Sequence, residues 1–241
     1  MTKLLRSSTL AFAAGALLSI GGVGRAEEPA ETGPERGIDH AVPAVYQALE
    51  IGIGGGYSQG IGDIAKNMNT VQDVSGPGGG VELQLGYRII PELAIGAYGT
   101  YSQQAKGDAM DDGHAHGATA GVFANWHFRP ARSIDPWIGV ATGWRALWTV
   151  PAEGENTTFH GLEIARLQVG LDYRITPEVA IAPVIGAGMS VFLTRNGPGT
   201  DGFDDVKGSH PSFFFFGGLL GRFDLFGRTD APKGVLVTAP H

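Results

Sequence analysis

The 241-residue sequence contains no cysteine. Without disulfides, its stability must come from packing and hydrogen bonding. Basic residues are scarce, with 17 Lys and Arg against 24 Asp and Glu. This balance argues against nucleic acid as a partner, because phosphate binding needs a basic surface. No uncharged run after residue 26 is long enough for a membrane helix, which needs about 20 apolar residues.

The first 26 residues have the parts of a secretory signal peptide. Lys3 and Arg6 form a basic head, residues 7–24 carry no charge, and Gly24 and Ala26 are the small residues of a cleavage site. The apolar part is short and broken by glycine, which favours a cleaved signal over a membrane anchor. We therefore expect residues 1–26 to be removed on export.

Cleavage leaves an acidic chain. It removes Lys3, Arg6 and Arg25, so that 14 basic residues remain against 24 acidic ones, a formal charge of −10. Residues 27–46 are rich in Pro, Glu and Gly and have little to bury, and we expect them to form a flexible lead-in. The remaining length is compatible with one all-β domain.

Alternating apolar and small or polar residues dominate the chain from Ala48 onward. Successive strand side chains point to opposite faces, so this period of two predicts strands with one apolar face. The seventh segment is the weakest, because Pro183 falls inside it. The pattern predicts eight strands, over residues 49–58, 81–89, 93–102, 118–128, 138–146, 165–175, 179–191 and 213–225.

The connections between these strands alternate in length. Strands 2–3, 4–5 and 6–7 are joined by short links that contain proline, whereas long polar loops cover approximately residues 59–79, 105–116, 149–161 and 194–210. Short turns at one end and long loops at the other describe an up-and-down antiparallel meander. The repeated phrases YRIIPELAIG and YRITPEVAIA are then two equivalent hairpins of this meander.

The charged residues indicate which solvent each face meets. Those within the predicted strands all lie on the face opposite the apolar one, and none of them is lysine. This face has a few Arg, Glu and Asp residues among small ones, as expected for a narrow interior in which the charges neutralise one another. The apolar face carries aromatic residues near the strand ends, as in the aromatic girdles of membrane barrels. The predicted interior salt-bridge network comprises Glu50, Glu82, Arg88, Arg145, Arg166, Asp172, Arg174, Arg222 and Asp224.

The predicted fold is therefore all-β: an eight-stranded antiparallel up-and-down transmembrane β-barrel. In hydrocarbon every backbone amide must be bonded, so strand 8 must pair with strand 1. The alternative is a secreted soluble barrel or sandwich, because a period of two does not by itself separate inside from outside.

Over residues 47–226 the pattern resembles the small eight-stranded outer-membrane β-barrel family of Gram-negative bacteria, of the OmpA-like, OmpX-like and OmpW-like type. The resemblance implies an outer-membrane location, a periplasmic lead-in (27–46), lipid and lipopolysaccharide as surroundings, a monomer and no cofactor. Family members often end on an aromatic residue. Here the strand-like GRFDLF ends at Phe226, and residues 227–241 follow as a C-terminal tail.

Eight strands enclose a lumen that side chains fill or that holds one small ligand. We therefore expect a structural or surface-interaction role without catalysis. The alternative is a narrow channel or a binder of a small hydrophobic ligand. A third hypothesis is an enzyme that modifies lipid A, with Ser209, His210 and His160 as candidate residues, but the sequence has no nucleophile-elbow motif.

Two loop clusters carry groups that bind cations. Asp201, Asp204 and Asp205 form one acidic cluster, and carboxylates at such spacing suit divalent ions that bridge to lipopolysaccharide phosphates. Two histidines at i, i+2 can share one face toward a transition metal. Neither cluster matches an established metal motif, and solvated polar loops are the simpler interpretation. The candidate metal residues are Asp108, Asp111, Asp112, His114 and His116.

Overall fold

The computed structural model describes residues 37–66, 70–109 and 112–229. The predicted signal peptide (1–26), part of the lead-in (27–36) and most of the tail (230–241) lie outside the described residues. Asp111, one of the candidate metal ligands, lies outside them as well.

Eight long strands form the barrel, and each overlaps a predicted one. A two-residue strand, β8 (Asp204–Asp205), and a four-residue helix, α1 (Val71–Val74), lie in the long loops. Across the described ranges, no helix is long and apolar enough to cross a membrane. The barrel strands are β1 (Ala48–Ile61), β2 (Gly78–Ile90), β3 (Leu93–Ala105), β4 (Gly113–His127), β5 (Ile134–Pro151), β6 (Thr157–Thr176), β7 (Val179–Asn196) and β9 (Pro211–Leu225).

The sheet closes on itself. Each strand is antiparallel to its two neighbours in the order β1-β2-β3-β4-β5-β6-β7-β9, and β9 returns to β1 from Leu49↔Leu225 to Ile61↔Phe213. The predicted eight-stranded antiparallel up-and-down barrel is confirmed. Closure leaves no unpaired sheet edge, as hydrocarbon requires.

Large apolar side chains cover the outside of the barrel. Leu83, Val122 and Val140 are 55%, 59% and 57% exposed, whereas Arg88 and Asp172 inside the barrel are fully buried. A soluble protein does not expose an apolar face of this extent, but a membrane barrel does. The strands therefore span a membrane, and the soluble alternative does not fit.

Several strands extend further toward the long loops than predicted. β5 continues to Pro151 and β6 begins at Thr157, so the loop between them is far shorter than the predicted loop over residues 149–161. His114 and His116, expected in a loop, lie instead in β4. At the long-loop end of the strands, aromatic and histidine side chains replace the aliphatic ones. The difference between apolar and polar positions, on which the period of two depends, is therefore weaker there.

Pro183, which weakened the prediction of the seventh strand, lies within a continuous β7. Its pairing partner on one side is Leu219 of β9. On the other side, the described pairing with β6 steps from Val184↔Gly170 to Ile181↔Tyr173 and passes over the proline. Proline lacks the N–H of a ladder bond, so an interruption of one ladder accommodates it.

The last part of the predicted lead-in (27–46), from residue 38 onward, packs against the barrel. We call residues 38–47 the strap. Ala44 N donates to Pro130 O (2.6 Å) beside the β4–β5 turn, and Tyr46 forms a bridge with Arg228 after β9. These two sites lie on opposite sides of the strand ring, so the strap crosses the short-turn end of the barrel.

Apolar burial and ion pairs hold the strap. Val42, Ala44 and Val45 are at most 8% exposed. Asp39 Oδ2 lies 2.6 Å from Arg129 Nη2, and Asp39 Oδ1 lies 3.4 Å from Arg132 Nε. Composition predicted flexibility because Pro, Glu and Gly dominate before residue 38, whereas the short apolar run after His40 packs against the turn.

Candidate functional site

The barrel interior is the candidate site, and its side chains form four successive levels. From the short-turn end these are a charged layer, an apolar layer, a second charged layer and an apolar cap beneath the long loops. We call the two charged levels the turn-end layer and the loop-end layer. The turn-end layer comprises Glu50, Arg88, His127, Asp135, Asp172, Arg174, Arg222 and Asp224.

Three arginines link the carboxylates of the turn-end layer. Arg88 Nη2 lies 2.5 Å from Glu50 Oε2, and Arg88 Nε lies 3.6 Å from Asp224 Oδ2. Arg174 Nη1 reaches the same Asp224 oxygen at 3.4 Å. Arg222 lies 3.6 Å from both Glu50 and Asp172. Shared partners keep each buried charge close to an opposite one, which a low-dielectric interior requires.

His127 joins this layer as a neutral imidazole. Arg222 Nη1 lies 2.8 Å from His127 Nε2, and because a guanidinium only donates, Nε2 must accept. The proton is then on Nδ1, which donates to Asp135 Oδ2 at 2.8 Å. Both ring nitrogens are therefore used, and the tautomer is fixed by its neighbours.

His127, Asp135 and Asp172 also have the residue types of a metal site. Their ligand atoms lie within 4.8 Å of one another and all three residues are buried. A metal ligand nitrogen must be unprotonated, yet Nδ1 carries the proton and Nε2 accepts from Arg222. With Arg174 also 3.8 Å from Asp135, this group does not fit a metal ion.

An apolar layer separates the two charged ones. Trp137, Ala182 and Leu220 are at most 4% exposed and pack together with Val184. The Arg222 guanidinium lies 4.2 Å from the centre of the Trp137 ring, so the indole packs against the side of the turn-end layer that faces the long loops. Phe123, at an inward-facing position of β4, is also buried.

The loop-end layer holds two further ion pairs. Arg166 pairs with Glu82, and Arg145 pairs with Glu163, whose other oxygen accepts from the Tyr98 hydroxyl. Each arginine also lies over an aromatic ring. Arg145 is 3.9 Å from the centre of the Phe214 ring and Arg166 is 4.0 Å from that of Phe216. Stacking and pairing together fix both guanidinium groups.

A loop closes the barrel above this layer. Thr70 caps helix α1 through a reciprocal pair of hydrogen bonds with Asp73, 3.1 and 2.7 Å long. The loop is tied to the last long loop, where Lys66 N donates to Gly208 O at 3.0 Å. The resulting apolar cap consists of Ile64, Val71, Val74, Leu147, Phe159, Phe192 and Phe214.

One cavity of about 90 Å³ lies between the cap and the apolar layer. Its polar lining includes Glu82, Thr100 and Ser102, and Leu220 forms part of its floor. Consecutive glycines of β1, β2 and β9 form one wall, at Gly54, Gly55, Gly56, Gly80, Gly217 and Gly218.

The structure brings the nine predicted network residues into the interior, but in two separate groups. Six belong to the turn-end layer, and Glu82, Arg145 and Arg166 belong to the loop-end layer. The prediction of a network omitted His127, Asp135, Glu163 and Tyr98. Continuing the alternation of β5 backward from Gly139 places Trp137 and Asp135 inside, a signal that was available in the sequence.

The described candidate metal residues do not converge on one ion. Asp108 lies in a turn where its backbone N–H donates to Gln72 O, and Asp112 accepts from Gly113 N at 2.8 Å. His114 and His116 are neighbours on β4, with ring centres 4.7 Å apart. Among the described residues, neither histidine forms a three-ligand group with these acids.

The candidate catalytic residues at the loop edges are also separate. The Ser209 hydroxyl donates to Val206 O at 2.8 Å, and His160 stacks on Trp144. In the described loops, Ser209 has no hydrogen bond to a histidine ring. A hydrolytic pair needs that contact.

No protein-family model matches the sequence, and no curated relative matches it. The fold is similar to several solved outer-membrane proteins. Neisserial surface protein A is 12% identical, with a TM-score of 0.47 over 73% of this chain and 97% of that chain. The N-terminal barrel domain of Pseudomonas aeruginosa OprF is 13% identical, with a TM-score of 0.42 over 75% and 99%. AlkL in lipid bilayers is 10% identical, with a TM-score of 0.47 over 86% and 99%.

Proposed function

We propose that this chain is a monomeric outer-membrane barrel that does not conduct ions and that holds its long loops as a rigid surface structure. The filled lumen carries this proposal. Two charged layers, an apolar layer and the apolar cap follow one another along the axis, and the strap crosses the opposite end. Because the described side chains fill the eight-stranded lumen in this way, we expect it to have no continuous aqueous path.

Two measurements test this role. Membrane fractionation and heat-modifiable gel mobility should place the folded barrel in the outer membrane. The purified chain in planar bilayers should then give no stepwise current at high salt. Regular single-channel steps from the folded protein contradict the scaffold role and support the narrow channel.

The cavity favours a second candidate function, the binding of a small ligand with an apolar part. At about 90 Å³ it holds only a small molecule, between apolar Leu220 and polar Thr100. Saturation-transfer NMR with short-chain alcohols tests it. Thr100→Leu fills the cavity and should abolish the signal, whereas Ala97→Leu on the lipid face should leave it unchanged. An equal signal in both variants removes this candidate.

A further inference from the structure

Two aspartates of the turn-end layer lie side by side. Asp135 of β5 and Asp172 of β6 are directly opposite each other in the strand register, and both are fully buried inside the barrel. Like charges at directly opposed positions of a sheet repel each other. Two carboxylates that share a buried site therefore resist being ionised together.

The hydrogen bonds of this pair are unequal. Asp135 accepts at both oxygens, from the backbone N–H of Arg129 at 2.8 Å and from Nδ1–H of His127 at 2.8 Å. Among the described residues, neither oxygen of Asp172 takes part in a hydrogen bond. Asp135 therefore has the contacts that stabilise a carboxylate, and Asp172 lacks them.

The arginines of the layer compensate Asp172 only at a distance. Arg222 Nε lies 3.6 Å from Asp172 Oδ1, and Arg174 Nη2 lies 3.9 Å from Asp172 Oδ2. His127 Nδ1 is 3.8 Å from the same Oδ2, but it donates its proton to Asp135. A buried carboxylate without a hydrogen bond is strongly unfavourable, whereas a neutral carboxyl group is much easier to bury.

The charges of the whole layer lead to the same result. With His127 neutral, four carboxyl groups face three guanidinium groups, so full ionisation would leave one excess negative charge in the interior. β3 and β7 contribute no charge, since their inward residues at this level are Ala94 and Ala180. Asp39 and its two arginine partners on the β4–β5 turn are partly exposed to solvent. The buried charged groups are those of Glu50, Asp135, Asp172, Asp224, Arg88, Arg174 and Arg222.

From these observations we propose that the Asp135–Asp172 pair binds one proton, which Asp172 carries as a neutral carboxyl group near neutral pH. Three carboxylates then face three guanidinium groups, and the layer has no net charge. The site takes a proton and not a metal ion, because Arg174 and the fixed tautomer of His127 leave no place for a metal. In the unfolded chain Asp172 is ionised at this pH, so the proton is bound only by the folded barrel. The inference does not depend on whether the lumen conducts.

Infrared spectroscopy of the full chain, folded in a maltoside detergent that has no carbonyl group, tests for this proton. At about pH 8 exposed Asp and Glu are ionised, so a protonated-carboxyl stretch belongs to a buried group. The wild-type barrel should show this band, and Asp172→Asn, which keeps the size of the side chain, should lose it. Asp205→Asn, at an exposed position of β8, is the matched control and should keep it.

The pH dependence of stability is a second measurement. Unfolding of the wild type releases the proton, so its equilibrium constant for unfolding in urea should rise about tenfold per pH unit relative to that of Asp172→Asn, between about pH 7 and about pH 8.5. Asp205→Asn should follow the wild type. The ratio of the two constants removes the contribution of His127, which both chains contain.

Absence of the band from the folded wild type overturns the proposal, and so does a band that Asp172→Asn retains. A stability that changes when potassium replaces sodium at fixed pH and ionic strength overturns it in favour of a bound cation. Heat-modifiable mobility checks that each variant is folded. If Asp172→Asn does not fold, the wild-type band decides: it should disappear when the chain is unfolded by heating in dodecyl sulfate, and its persistence there overturns the proposal.

Discussion

Arg88 and Arg174 occupy equivalent positions in the two repeated hairpins. Each guanidinium donates to the carbonyl of the proline in its own turn, Arg88 to Pro91 O at 3.0 Å and Arg174 to Pro177 O at 3.1 Å. Both also contact Asp224. The repeated phrase is therefore a structural device that ties two turns to one buried charge layer.

Replacing one of these arginines should destabilise the barrel strongly. Arg88→Met leaves Glu50 and Asp224 without their shared partner in the interior, where an unpaired charge costs about 3–5 kcal/mol. The free energy of unfolding in urea, followed by the loss of the heat-modifiable band, measures the change. The residue is fully buried, so solvent offers little compensation.

Arg129→Met is the matched control at the barrel surface. This arginine also pairs with an aspartate, Asp39, but its side chain is 45% exposed. The loss should stay below about 1 kcal/mol, as for exposed ion pairs. Equal losses for Arg88→Met and Arg129→Met would show that burial does not control the strength of the turn-end layer.

Single residues show where sequence patterns stop being informative. Glu163 lies inside the barrel although the alternation from Ala165 onward places it outside. The pairing of β6 with both neighbours shifts register between Glu163 and Ala165 or Arg166, and such a bulge reverses the facing of every residue before it. The alternation along β4 places His127 inside the barrel, but its role depends on Arg222, which is distant in sequence.

Among the elements, the strap depends on the charge of Asp39. Partial burial opposes ionisation, but the hydrogen bond and charge of Arg129, with the charge of Arg132, hold the pKa of Asp39 below its usual value of 3.8. A carboxyl with a lowered pKa stabilises the attached strap above pH 3.8, and this contribution is lost as the pH falls through the lowered value.

A nitroxide label at Ile38→Cys reports on this attachment, because the chain has no other cysteine and Ile38 is 75% exposed. The label should be restricted near neutral pH and should become mobile well below pH 4. Adding Asp39→Asn should make it more mobile at every pH. A label equally restricted at neutral and strongly acid pH argues against an ionic attachment.

Paired glycines allow neighbouring strands to approach closely. Gly121 of β4 is opposite Gly143 of β5, and a Cβ on Gly121 would lie 2.1 Å from Thr142 O. Gly121→Ala should therefore lower the free energy of unfolding by about 1–3 kcal/mol. At Gly99 the nearest atom to an added Cβ is 4.0 Å away, so Gly99→Ala should be nearly neutral in the same urea titration.

For the whole molecule, strand number, topology and the facing of the predicted segments were predictable, because they follow from a period of two and from loop lengths. The division of the interior into levels was not. It depends on which residues meet across the barrel, such as Trp137 and Leu220. It also depends on Val71, which packs into the apolar cap from the β1–β2 loop, for which the sequence predicted only a polar loop. The strap was missed for the same reason, since its partners lie at the far β4–β5 turn.

Each of the four levels fills the lumen, so the loss of one level should not open a path for ions through the barrel. Replacing residues 62–77 with a short Gly-Ser link removes Ile64, Val71 and Val74 from the cap. The loop-end layer, the Trp137–Leu220 layer and the turn-end layer remain. We therefore expect the shortened barrel to fold with reduced stability and to stay closed in planar bilayers, with no more current than the wild type. Stepwise conductance from the folded, shortened barrel would instead identify the cap as the only barrier, and the chain as a gated narrow channel.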